Sequence, residues 1–234
     1  MISNKRLYQK RSSLLTGLFA YTIFFSHLSM ANIQSETAYT PDFLLQNAIK
    51  AGQLDAVRAL ITDERVDIDQ PFSDGITPLH ASVINNQENI AIALIEAGAK
   101  TDVPDPTTQA TALHLASLYG RDKIAAYLIQ KGANVNAGMK FGITPLLVAA
   151  QFNQPQIVQL LLDKKADIDH ADQEGFTALH FAAQNGNEVI ANMLLDNGAK
   201  INVNDKTTKA TPLEIAIENN HLEVARVLEE HGAQ

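Results

Sequence analysis

The chain has no cysteine and no tryptophan among its 234 residues. Without thiols there is no disulfide scaffold and no thiolate zinc site. It has no glycine-rich phosphate loop and no Gly-x-Ser-x-Gly elbow, so the usual signatures of nucleotide and acyl chemistry are missing. Positive charge is short as well: 18 Lys and Arg stand against 26 Asp and Glu, a formal charge of −8. The first 31 residues contain Lys5, Arg6, Lys10 and Arg11 and no acid, so without them the charge falls to −12. A body this acidic repels phosphate backbones and anionic membranes, which argues against nucleic acid and for a partner with a neutral or basic surface. Apolar residues make up 46% of the chain, enough for a core and too many for a disordered protein.

The basic start leads into an apolar run, Leu14 to Phe25, and then to Ser29-Met30-Ala31. That is the order of a secretory signal, with small residues before a cut after Ala31. The run has 12 residues, fewer than the roughly 20 that span a bilayer. The alternative is an uncleaved inner-membrane anchor over Ser13 to Ala31. Either way the rest of the chain stands outside the cytoplasm, because the positive end stays inside. A periplasm is the first choice and secretion the second, since no Asn-x-Ser/Thr sequon occurs.

The remainder repeats. Thr77, Thr111, Thr144, Thr177 and Thr211 each open a Thr-Pro-Leu-His-like segment, at spacings of 34, 33, 33 and 34. Each unit has the parts of two short helices. Thr is a helix N-cap, and Pro fits the first turn. A small residue five positions on lets the neighbouring unit approach. Gly or Asn nine positions on (Asn86, Gly120, Asn153, Gly186, Asn220) ends the first helix. Leu at +17 and, in four of five units, Gly at +21 mark a second helix. A fixed period of this length signals a stacked repeat, in which each unit buries its apolar face on its neighbours.

These segments resemble the ankyrin family. The resemblance runs from about residue 42 to 234 and implies an all-α ankyrin-repeat solenoid of helix-turn-helix units with β-hairpin loops, preceded by the signal peptide. The segments are a signal at 1–31, a linker at 32–41, a divergent N-terminal capping repeat at 42–71, repeats at 75–104, 108–137, 142–171 and 175–204, and a C-terminal capping repeat at 208–234. The first repeat aligns on Phe43 and lacks a Thr cap at that position. Leu147 stands where the other units have His, and Lys165 where they have Gly. The loops at 106–110 and 206–210 carry one extra residue and should differ in shape from the other tips.

His80, His114 and His180 recur at one repeat position. Stacked helices lie about 8–10 Å apart, too far for successive His to share a metal bonded at about 2.0–2.1 Å. Their expected role is to hold loop backbone. Asp167/Asp169 and Glu229/Glu230 lack the cleft that acid–base work needs. No catalytic, metal or cofactor residue is assigned, and the chain reads as a non-enzyme.

In the ankyrin family partners lie on the concave face, formed by the hairpin tips and the exposed side of the first helices. Carried over by position, that face comprises Ile76, Lys140, Phe141, Ile143, Gln173, Glu174 and Phe176 from the tips. From the first helices it takes Ile84, Leu118, Tyr119, Gln151, Phe152, Gln184 and Asn185. Tyr119, Phe141, Phe152 and Phe176 form an expected aromatic centre within a polar rim. The resemblance implies a monomeric protein-binding scaffold in the cell envelope. Other readings are a protective factor for an enzyme such as a periplasmic catalase, a toxin-neutralising immunity protein, or a secreted host-directed effector.

Overall fold

A computed structural model describes residues 40–234. The expected signal at 1–31 and the expected linker up to residue 39 lie outside the described residues. Among the described residues the regular structure is helical, with no strand. None of these helices is long and apolar enough to cross a membrane. The described chain falls into two compact units, 40–134 and 135–234, each made of three helix pairs.

The first unit holds α1 (Pro41–Lys50), α2 (Leu54–Leu60), α3 (Pro78–Ile84), α4 (Glu88–Glu96), α5 (Ala112–Tyr119) and α6 (Asp122–Gln130). The second holds α7 (Pro145–Gln151), α8 (Pro155–Asp163), α9 (Ala178–Asn185), α10 (Glu188–Asp196), α11 (Pro212–Glu218) and α12 (Leu222–Glu230). Within each unit the first helix of a pair packs on its own second helix and on the first helix of the next pair. The second helices form a parallel row: α2, α4 and α6 in one unit, α8, α10 and α12 in the other.

Sequence explains these helices locally. The hydroxyls of Thr77, Thr144 and Thr211 accept from the amide three residues on, at 3.3, 3.4 and 3.3 Å, satisfying a donor the helix itself leaves orphaned. Pro at the first helical position needs no partner for its nitrogen. The N-terminal repeat corrects the expectation that it has no cap. Thr40 accepts from the Phe43 amide at 3.3 Å and Pro41 follows it, so α1 starts one turn before the position aligned with the other caps.

Each first helix stops where a residue turns left-handed. Asn86, Asn153 and Asn220 take φ of 55°, 54° and 61°, in line with Gly120 at 63° and Gly186 at 70°. Lys165 takes φ 63° where the other units use Gly after the second helix. The geometry is kept there at a steric cost that Gly escapes.

The hairpin loops are tighter than a strand pair. Every tip is closed by the same backbone bond across its base: Phe72 to Ile76, Asp105 to Ala110, Met139 to Ile143, Asp172 to Phe176 and Asp205 to Ala210, the amide of the first donating to the carbonyl of the second. The two long tips are built differently from the others. Buried Asp105 accepts from the amides of Thr107, Thr108 and Ala110 and from the Thr108 hydroxyl. Asp205 does the same with Thr207, Thr208 and Ala210. The extra residue takes a left-handed turn, at Gln109 (φ 65°) and Lys209 (φ 62°).

Side chains also staple one repeat to the next. Asp69 accepts from the Lys100 amide at 2.8 Å and Asp102 from Asn134 at 3.1 Å. In the second unit Asn136 accepts from Asp167 at 2.9 Å, Asp169 from Lys200 at 2.8 Å and Asn202 from Gln234 at 3.2 Å. A further set closes the first-helix ends: Asn187 donates to the Ala150 carbonyl at 3.3 Å, and His221 Nε2 lies 3.1 Å from the Gln184 carbonyl. On α12, Arg226 pairs with Glu223 at 2.9 Å and Glu230 at 3.1 Å on the polar face, while Val224, Val227 and Leu228 face inward.

Candidate interaction surface

The residue before each Thr cap is a core position. Ile76, Ala110, Ile143, Phe176 and Ala210 are all 5% exposed or less. The cause is the backbone bond that closes each tip, because the accepting carbonyl belongs to this residue and holds its side chain inward. Phe176 shows it most fully. It is 1% exposed, its ring 5.1 Å from that of His180 and 5.4 Å from that of Phe181. Ile76, Ile143 and Phe176 are thus corrected from contact residues to packing residues. The sequence carried the signal, since this position is apolar in all five units.

The first-helix positions divide. Leu118, Gln151 and Gln184, at +7, are each 8% exposed; they are corrected to buried positions, because +7 turns toward the neighbouring first helix. One place further, Tyr119, Phe152 and Asn185 are half-buried, as is Ile84. Asn185 is committed to structure, its amide donating to the Gln151 carbonyl at 2.8 Å. The Tyr119 ring lies 5.6 Å from the Arg121 guanidinium, and burial pushes its phenol above the ordinary range although Arg121 opposes the shift.

Lys140, Phe141, Gln173 and Glu174 remain in the open. Phe141 is 53% exposed and takes φ 65°. A bulky side chain in the left-handed region is uncommon and carries strain. The strain is held by neighbours in the second unit. The Phe141 carbonyl accepts from the Gln173 amide at 2.9 Å, and the Gly142 carbonyl lies 2.8 Å from His170 Nε2. One tip further, the Glu174 carbonyl accepts from the Lys206 amide at 2.7 Å. Three tips are thereby fixed side by side. The position-by-position reading missed Lys206 and Lys209, which lie on the third tip and are exposed.

The histidines serve the backbone. His114 Nδ1 accepts from the Thr111 amide at 3.1 Å, and His180 Nδ1 from the Thr177 amide at 3.1 Å. Glu214 Oε2 does the same for Thr211 at 2.7 Å. These are reciprocal capping boxes. His80 Nδ1 lies 2.8 Å from the Thr77 hydroxyl. Burial pushes His80 down to about 4, against the opposing pull of the Asp105 carboxylate and the Ala110 carbonyl. Asp169 is likewise structural: beyond its bond to the Lys200 amide it pairs with the Lys200 ammonium at 3.3 Å.

Capped helix pairs at a period near 33, joined by tight tips, define a helical repeat protein. The chain belongs to the ankyrin-repeat family: ankyrin repeats in three copies match residues 25–105, 44–139 and 146–234. It is similar to protein phosphatase 1 regulatory subunit 27 of Mus musculus, 32% identical over 104 residues that cover 44% of this chain and 67% of that protein. It is also 32% identical over 137 residues to ankyrin repeat and fibronectin type-III domain-containing protein 1 of Danio rerio, covering 54% of this chain and 8% of the relative. A third similarity is to the nuclear factor NF-kappa-B p105 subunit of Mus musculus, 34% over 83 residues, 35% of this chain and 8% of the relative. The chain thus spans only a small part of the last two proteins. The ankyrin repeats indicate a protein-interaction scaffold.

Proposed function

We propose that this chain is an exported, non-catalytic scaffold that holds a partner protein chiefly on the tips of its 135–234 unit. The observation that carries the reading is Phe141, a half-exposed aromatic kept in a strained backbone by bonds to the next tip. Strain retained beside an exposed anchor points to selection for contact. The regulatory-subunit name of the phosphatase relative is in keeping with a scaffold role. Export rests on the order of charge and apolarity in residues 1–31, and the envelope is the proposed place of action.

The test compares wild-type chain with Phe141→Ala as bait in envelope extract, with melting measured in parallel. A hot-spot truncation costs about 2 kcal/mol or more of affinity, so a genuine partner is lost from the variant while its fold stays intact. Equal recovery by both baits sinks the site. Sequencing the N-terminus of exported material tests the leader, with Asn32 as the expected first residue.

A further inference from the structure

The chain as a whole is acidic, yet the tips of the 135–234 unit are not. They present Lys140 and Phe141 on the first tip, Gln173 and Glu174 on the second, and Lys206, Thr207 and Lys209 on the third, all exposed. Lys140 and Lys209 have no acidic partner among the described residues, and the Lys206 ammonium reaches only the Gln173 carbonyl, at 3.3 Å. Of the other cations of this unit, Lys200 is neutralised by Asp169 and Arg226 by Glu223 and Glu230, while Lys164 and Lys165 follow the end of α8 and are not on the tips. Three exposed cations, one exposed acid and one aromatic therefore share a row, above the buried carboxylates of Asp172 and Asp205, that two backbone bonds hold rigid, Gln173 to Phe141 and Lys206 to Glu174. The tips of the 40–134 unit carry no cation: Ser73 and Asp74 on one, Pro106, Thr107, Thr108 and Gln109 on the other.

We propose that the tip row of the 135–234 unit binds an extended acidic peptide segment that places one apolar side chain on Phe141 and carboxylates on Lys140, Lys206 and Lys209. Charge complementarity selects the sign, since Lys206 and Lys209 gain their missing counter-charges on binding. The exposed Phe141 ring supplies the apolar contact. The middle tip, with Glu174, excludes a carboxylate opposite it and sets a gap. Helix packing spaces neighbouring tips by roughly 10 Å, so a strand rising about 3.3 Å per residue crosses the two intervals of the row in about seven residues. The gap gives direction: acidic and apolar residues at one end, a neutral middle, acidic residues at the other.

The inference rests on the scaffold reading above and deepens it, so its test must separate the two. Random peptides of about that length, displayed on phage, are selected on the full chain at low salt. Enriched peptides are then measured by fluorescence anisotropy against wild type, Lys206→Glu/Lys209→Glu, Lys206→Arg/Lys209→Arg and Phe141→Ser. The expected result is enrichment of acidic peptides with an apolar residue near one end. Binding should weaken about tenfold with the Glu pair, recover with the Arg pair, and fade as salt shortens the screening length. Phe141→Ser should weaken binding about thirtyfold. Neutral or basic consensus peptides, no enrichment, or acidic peptides indifferent to the Lys substitutions would each overturn this inference. The scaffold reading answers separately to the envelope bait, where a partner lost with Phe141→Ala but retained by the Glu pair leaves that reading standing and removes only the acidic-peptide one.

Discussion

The Phe141 carbonyl and the Gln173 amide meet at 2.9 Å across two successive tips. That bond holds Phe141 at φ 65°, a conformation that costs a side-chain-bearing residue about 1–2 kcal/mol and glycine little. Stability and binding should therefore pull apart at this residue. Phe141→Gly is expected to stabilise the chain by about 1 kcal/mol in urea unfolding while abolishing partner capture. A loss of stability instead would show that the ring packs on the body and is no free anchor.

The long tips depend on a carboxylate, not merely on a polar side chain of that size. Burial pushes Asp205 up, yet the Thr208 hydroxyl and the amides of Thr208, Thr207 and Ala210 outweigh it and leave the group below its ordinary value. Asp205→Asn keeps the shape but exchanges one accepting oxygen for a donor. At least one of the buried donors is then left unanswered, at about 1–3 kcal/mol. Differential scanning calorimetry should show a clearly lower Tm, and hydrogen exchange should quicken at the Ala210 amide. An unchanged melt would mean the tip is held by its backbone turn alone.

Two glycines of similar conformation should respond differently to the same change. Gly175 has φ 89° and Gly198 φ 86°. A Cβ on Gly175 would stand 2.8 Å from the Lys206 amide nitrogen, whereas on Gly198 it would meet nothing within 4 Å. Gly198→Ala carries only the left-handed penalty, about 1–2 kcal/mol. Gly175→Ala must also push apart the tips joined by the Lys206-to-Glu174 bond, so it should be the more damaging by at least about 1 kcal/mol. Equal losses in the two melts would show that the tip row yields easily, which the rigid platform does not allow.

Much of the fold was legible because each repeat spends its few informative residues on backbone problems. Thr caps, Pro first turns and left-handed Asn or Gly answer local demands, and the sequence states them at a fixed spacing. Thr40 escaped because it stands one turn before the aligned cap, where only the longer α1 gives it meaning. The surface was harder to read. Exposure on a stacked repeat depends on how far each position turns toward its neighbour, as the contrast between buried Gln151 and half-buried Phe152 shows. Phe141 and Phe176 are both tip aromatics at different repeat positions: Phe176 precedes the Thr cap, where the closing backbone bond turns its side chain inward, whereas Phe141 stands at the turn itself and is exposed. Net charge is no guide to local charge either: it describes the whole body, whereas Lys140, Lys206 and Lys209 stand exposed on two of three neighbouring tips.

His80 makes stability depend on acidity. It is 2% exposed, and burial holds it at about 4, below the 6.5 of an open imidazole. Between those values the unfolded chain binds a proton that the folded chain refuses, so stability rises with pH across that window. The contribution is complete above pH 6.5 and is lost as pH falls toward 4, a difference of roughly 3 kcal/mol for this one group. Urea unfolding at successive pH values should show a steep decline there. His80→Gln should flatten the slope by about one proton's worth, near 1.4 kcal/mol per pH unit at its steepest, even if it lowers stability at neutral pH. A variant with the parent's slope would mean that His80 titrates normally in the folded chain, and that its place beneath the Thr77 cap is open to water.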